Sequence, residues 1–104
     1  MKQSIREELI EHVTVLRNNE VLTEDNKEDW HFHAFNEDYY LIGYYNCEEW
    51  LKRHNVCEWD VIAAVKEYEQ DNFGECNTDL SCPEQVVNMY VYILGEEIIA
   101  DMEE

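Results

Sequence analysis

An α+β fold, a single small domain spanning residues 1–104 in the order α-β-β-α-α-α, is predicted by three features of this chain. Apolar residues recur at helical spacing behind three capping-box signals, two short aromatic runs flank a turn, and Gly and Pro are too scarce to break the chain elsewhere. With 104 residues, 45% of them hydrophobic, the chain can fill one compact core and not two. A net charge of -18 would suit a disordered chain, but three Trp, seven Tyr and three Phe would not, because disordered segments are poor in aromatic and branched apolar residues.

Each element has its own signal. Ser4-Ile5-Arg6-Glu7 reads as a capping box, and Ile5, Leu9, Val13 and Leu16 follow on one face up to Asn18-Asn19, giving a first helix over about residues 5–18. The acidic stretch from Glu20 to Asp29 reads as a connector. Trp30-His31-Phe32-His33-Ala34-Phe35 then alternates, with Trp30, Phe32 and Ala34 inward and His31 and His33 outward, and Tyr39-Tyr40-Leu41-Ile42-Gly43-Tyr44 is aromatic and branched. With Asn36-Glu37-Asp38 between them, the two runs predict a two-stranded antiparallel hairpin packed on the helices.

Asn46 with Glu49 signals a short helix through Trp50 and Leu51 that ends near Arg53-His54-Asn55. Trp59, Ile62, Val65 and Tyr68, with Ala63 and Ala64, predict the next helix, closed at Asn72-Phe73-Gly74 by a left-handed glycine. Ser81-Cys82-Pro83-Glu84 opens the last helix, through Val86, Val87, Tyr90, Ile93, Leu94, Ile98 and Ile99. Packing is expected to place Trp30, Trp50 and Trp59 in the core.

The most apolar segment, Val86 to Leu94, is interrupted by Asn88 and falls well short of the roughly 20 residues that span a bilayer, so no membrane insertion is expected. The N-terminal residues Met1 to Glu8 hold no apolar run of the kind an export signal needs, which predicts a cytoplasmic location and reduced thiols at Cys47, Cys57, Cys76 and Cys82.

Charge is the strongest functional signal. Residues 1–66 hold fourteen acids and all seven bases, whereas residues 67–104 hold eleven acids and no base. Several acids recur four apart: Glu67, Asp71 and Glu75; Glu97 and Asp101; Glu7 and Glu11; and Glu20, Glu24 and Glu28 in the connector. Like charges at this spacing on a helix cost a few tenths of a kcal/mol per pair, so stability alone would place Lys there. Neighbours at i and i+4 lie roughly 6 Å apart along a helix and present a periodic line of negative charge, as a phosphate backbone does. A small domain stays soluble with a net charge of about 2 to 8 in magnitude, far less than is present here.

In size, charge and folded aromatic-rich character the chain resembles the acidic DNA-mimic proteins that phages and mobile elements make against restriction enzymes and CRISPR effectors. That group shares no one fold, so the resemblance bears on mechanism alone. It implies a non-enzymatic inhibitor whose carboxylates occupy the phosphate-binding channel of a basic nucleic-acid-binding protein and exclude DNA, in host cytoplasm if phage-encoded. The expected partner-binding carboxylates are Glu24, Asp25, Glu28, Asp29, Glu67, Asp71, Glu75, Asp79, Glu96, Glu97 and Asp101. A homodimer would lengthen such an acidic track. Exposed Tyr among Tyr39, Tyr40, Tyr44, Tyr45, Tyr90 and Tyr92 would add contact area.

Other classes find less in the residues. Direct binding to nucleic acid or to an anionic membrane is opposed by the charge. A carboxylate pair drawn from twenty-five acids carries no catalytic information, and no Gly-rich phosphate loop is present. His31-x-His33, His54 and the four Cys supply zinc-type donors, but no Cys-x-x-Cys organises them, and the connector lacks the glycine of a calcium loop, so no cofactor is expected. The alternatives are a generic acidic interaction module whose charge serves solubility, or a small structural zinc protein.

Overall fold

The computed structural model describes residues 4–36 and 38–102, and among them every regular element is helical. Helices α1 (Ile5–Asn18), α2 (Trp30–Ala34), α3 (Cys47–Arg53), α4 (Glu58–Phe73) and α5 (Pro83–Met102) follow in order, with short 3-10 segments at Glu24–Asp29 and Tyr44–Asn46. The expected α+β class and its hairpin are therefore corrected to an all-α fold. A five-residue run such as Trp30–Ala34 satisfies both periodicities at its ends, since residues i and i+4 share a face in helix and strand alike. Phe32 discriminates: a strand would bury it beside Trp30 and Ala34, yet it is 62% exposed while they are buried. The Asn36 turn exists, with its side chain accepting from the Asp38 N–H at 2.8 Å, but no strand flanks it. Glu37 lies outside the described residues.

The chain divides into two compact units, one formed by the described residues up to Leu41 with those from Leu94 onward, the other by Ile42–Ile93. In the first, the Ser4 hydroxyl accepts from the Glu7 N–H at 3.1 Å and starts α1 as its sequence predicts. After Asn19, Glu20 takes a left-handed φ of 63°, and the Val21 N–H bonds back to the Leu16 carbonyl at 2.9 Å, which closes the helix and turns Leu22 inward.

The acidic stretch that follows is organised by Asn26. Its Oδ1 accepts from the Thr23 N–H at 2.8 Å and from Trp30 Nε1 at 2.9 Å, and its Nδ2 donates to the Val21 carbonyl at 2.9 Å. These bonds seat the Trp30 indole in a cluster with Val13, Leu16, Leu22, Ala34 and Ile99. His12 Nε2 donates to the Ala34 carbonyl at 2.6 Å, so the proton sits on that nitrogen, and its ring meets Phe35 and Tyr40. Phe35 lies over Gly95 of α5, where a Cβ would come within 2.7 Å of the ring.

The second unit buries Cys47, Trp50, Leu51, Val61, Val65, Val86, Val87 and Val91. Asn46 precedes α3 but makes no side-chain cap bond, because the 3-10 turn Tyr44–Asn46 already feeds the helix. On α4 the inward face is Val61, Val65 and Glu69, three positions at spacing four, and not the expected stripe through Trp59, which is 78% exposed. Gly74 ends this helix at φ 79°, as its position predicts. Ser81 does not cap α5; its hydroxyl donates to Asp79 Oδ1 at 2.5 Å.

Candidate interaction surface

All eleven carboxylates expected to bind a partner are exposed. In the Ile42–Ile93 unit they are Glu67, Asp71, Glu75 and Asp79. Glu67 and Asp71 stand one turn apart on α4, but Glu75 follows the Gly74 stop, so the expected three-rung ladder has two rungs on the helix and its third in the loop. No base lies in the last turn of α4, where the carbonyl end of the helix dipole would favour one. Asp79 accepts from the Ser81 hydroxyl and, at 3.0 Å, from the Ser81 N–H. Those two bonds hold its carboxyl below the ordinary value against a smaller effect of burial, so it stays anionic.

In the other unit, Glu24, Asp25, Glu28 and Asp29 line the 3-10 segment, and Glu96, Glu97 and Asp101 lie on the outer side of α5. Among the described residues, Asp101 and Glu24 face cations. Arg6 donates to Asp101 Oδ2 at 2.6 Å, and Lys27 lies 4.0 Å from Glu24, both at solvent-exposed positions. Such pairs are weak and exchangeable, worth about 0.2–1 kcal/mol each.

Among the described residues the buried acid is Glu69, 3% exposed. Its carboxylate accepts from the Asn77 N–H at 2.7 Å, the Thr78 N–H at 2.9 Å and the Thr78 hydroxyl. Burial works to raise its pKa, but the bonds from Thr78, Asn77 and Cys76 outweigh it and hold the group below the ordinary value. Glu69 therefore pins the loop after α4 and does not belong to the outer surface. Its spacing of four from Val65 was the signal in the sequence that could have found it.

Two of the thiols, Cys47 and Cys76, are held in their protonated form. Burial, then the charges of Glu84 and Cys82, push Cys47 up, and burial with the bond and charge of Glu69 does the same to Cys76. All four cysteines are free. His31 and His33 fall on a helix, where positions two apart point to different sides, and no group of three metal-binding side chains occurs among the described residues. An open groove of about 400 Å³ beside α1 is lined by Thr14, Arg17, Leu22, Thr23, Glu24 and Trp30. Among the described residues no helix is long and apolar enough to cross a membrane.

Of the tyrosines expected at the surface, Tyr39, Tyr44 and Tyr45 are exposed; what sequence reasoning missed is the outward turn of Trp59 and Phe73. Trp59 at 78% and Phe73 at 58% exposure sit at the two ends of α4, and Tyr44 and Tyr45, at 55% and 92%, precede α3 with their rings 5.3 Å apart. Trp59 shares its helix face with Ala63, Lys66 and Gln70, and those polar and small neighbours mark it as outward. Compared with known protein families, with curated proteins and with solved structures, the chain matches none.

Proposed function

We propose that this protein is a non-enzymatic inhibitor that binds a basic nucleic-acid-binding protein, of the restriction-enzyme or CRISPR-effector type, and competes with DNA for its phosphate-binding channel. What supports this reading is the exposure of all eleven predicted carboxylates in a chain that has no Lys or Arg after Lys66. Carboxylates held on folded elements present fixed charge at low reorganisation cost, and they steer a positively charged partner from beyond contact distance. Glu67 and Asp71 favour the same reading, because like charges one turn apart, with Asp71 in the last turn of α4, cost stability and serve no internal ion pair among those the structure records.

The test is competition. Labelled DNA is titrated with a purified restriction enzyme or CRISPR effector in the presence of this protein, at low and at high salt. The reading expects DNA to be displaced at low salt, with displacement fading as salt rises and with neutralisation of Glu67, Asp71, Glu75 and Asp79 to their amides. Binding that neither excludes DNA nor weakens with salt would overturn it.

A further inference from the structure

The outward face of α4 has the register of a helix-pairing seam. Trp59, Ala63, Lys66, Gln70 and Phe73 are all exposed and follow one another at intervals of four, three, four and three. At ~100° per residue they stay within one narrow stripe, and the 3-4 alternation is that of the a and d positions of paired helices. Two large apolar side chains, 78% and 58% exposed, stand at its ends, about 21 Å apart along the axis at ~1.5 Å per residue. Between them stand Ala63, a small side chain, and Lys66 and Gln70, polar residues of the kind that fix register in such pairs. Along one side of the stripe run Asp60 and Glu67, seven residues apart and both exposed; this is the flank whose charges choose a partner helix.

From this face we infer a docking site for an amphipathic, basic helix of the partner protein: its apolar residues would cover Trp59 and Phe73 while its Lys or Arg side chains face Asp60 and Glu67. Charge complementarity along the Asp60 and Glu67 flank selects this occupant, whose residue facing Lys66 in the seam is then neutral or acidic. A second copy of the chain would bring another net charge of -18 to the same face, and antiparallel pairing would set Asp60 and Glu67 against their own counterparts. Neutral apolar segments would leave the acidic flank unpaired. The inference rests on the partner being basic, as proposed above, and adds that a helix is the element recognised and that aromatic anchors hold it.

The experiment uses the whole protein and two synthetic helical peptides of equal length and equal Lys content, one with Leu at the seam positions and one with Ser. Calorimetric titration at low salt is expected to show the Leu peptide binding at least about tenfold tighter than the Ser peptide, in the range that one well-packed anchor contributes. The double variant Trp59→Ser, Phe73→Ser should erase that ratio with its circular dichroism unchanged, both side chains being largely exposed. Asp60→Asn with Glu67→Gln should weaken both peptides and keep the ratio. Equal affinity for the two peptides would overturn the helix seam while leaving the DNA-competing surface intact. If neither peptide binds and DNA is not displaced in the assay above, both readings fall. A dimer that appears with concentration and is lost in the Ser variant would identify a second copy as the occupant and also overturn the proposal.

Discussion

The carboxamide of Asn88 holds both backbone groups of Ile42: the Ile42 N–H donates to Asn88 Oδ1 at 2.9 Å, and Asn88 Nδ2 donates to the Ile42 carbonyl at 2.9 Å. One side chain on α5 thus does for this residue what a neighbouring strand would have done. Replacing Asn88 with Leu keeps the volume and leaves two backbone groups without their partner at a buried residue. A loss of about 2–3 kcal/mol is expected in denaturant melts; an unchanged midpoint would mean that water replaces the amide.

Gly95 is fixed by Phe35. In most helix interiors Gly→Ala gains about 1 kcal/mol, but here the new methyl would come within 2.7 Å of the ring. Gly95→Ala should therefore destabilise by about 1–3 kcal/mol. The sign should reverse in a Phe35→Ala background, where the obstructing ring is gone.

Glu20 occupies a left-handed conformation at φ 63° directly after α1, at a cost of about 1 kcal/mol for a residue with a Cβ. Glu20→Gly should raise stability by about 0.5–1 kcal/mol. Glu20→Gln, which removes the same charge but keeps the Cβ, should recover less; equal gains from both would assign the effect to charge alone.

The buried Glu69 gives an acid-dependent contribution of definite sign. Its pKa is lowered in the folded state, so its stabilisation is complete above the unfolded carboxylate value and is lost as pH falls through the folded one. Glu69→Gln should cost about 1.5–3 kcal/mol near neutrality, as expected for bonds to a charged acceptor. The difference between wild type and variant should shrink below about pH 4.5. Taking that difference cancels the opposing gain that both proteins draw from protonating their many surface acids. A gap that stays constant with pH would show that Glu69 is not ionised in the folded protein.

Exposed carboxylates in such excess repel one another, so added salt should raise the melting temperature. Asp71→Lys, at the carbonyl end of α4 and one turn from Glu67, should raise it without salt, by about 0.5–1 kcal/mol in stability. It should also weaken displacement of DNA from a basic partner. A melting temperature indifferent to both would mean that the acids are already dispersed or paired.

Four of the five α-helices were legible in the sequence, and their ends were set by local chemistry: Ser4 before α1, Gly74 after α4, Pro83 at the first position of α5. α2 was not. Trp30 and Ala34 fit either periodicity, and what decides the matter is the non-local packing of Trp30 with Leu22 and Ile99, together with the bonds of its indole to Thr23 and Asn26. The second strand was misread for a similar reason, since the backbone of Ile42 is satisfied by a residue forty-six positions away. Exposure of the acids was expected from their chemistry. The inward turn of Glu69 and the outward turn of Trp59 were not, although both follow once the α4 stripe is drawn through Val61 and Val65.

The exposure of Trp59 makes the protein its own probe of surface potential. Trp30 and Trp50 are buried, at 3% and 5% exposure, so soluble collisional quenchers reach essentially one indole. Iodide should be repelled from that ring by the neighbouring carboxylates and caesium drawn toward it, with neutral acrylamide indifferent to them. The ratio of caesium to iodide quenching then reads the electrostatic field at α4 directly, and its collapse on mixing with a candidate protein would report that the acidic face has been neutralised by contact.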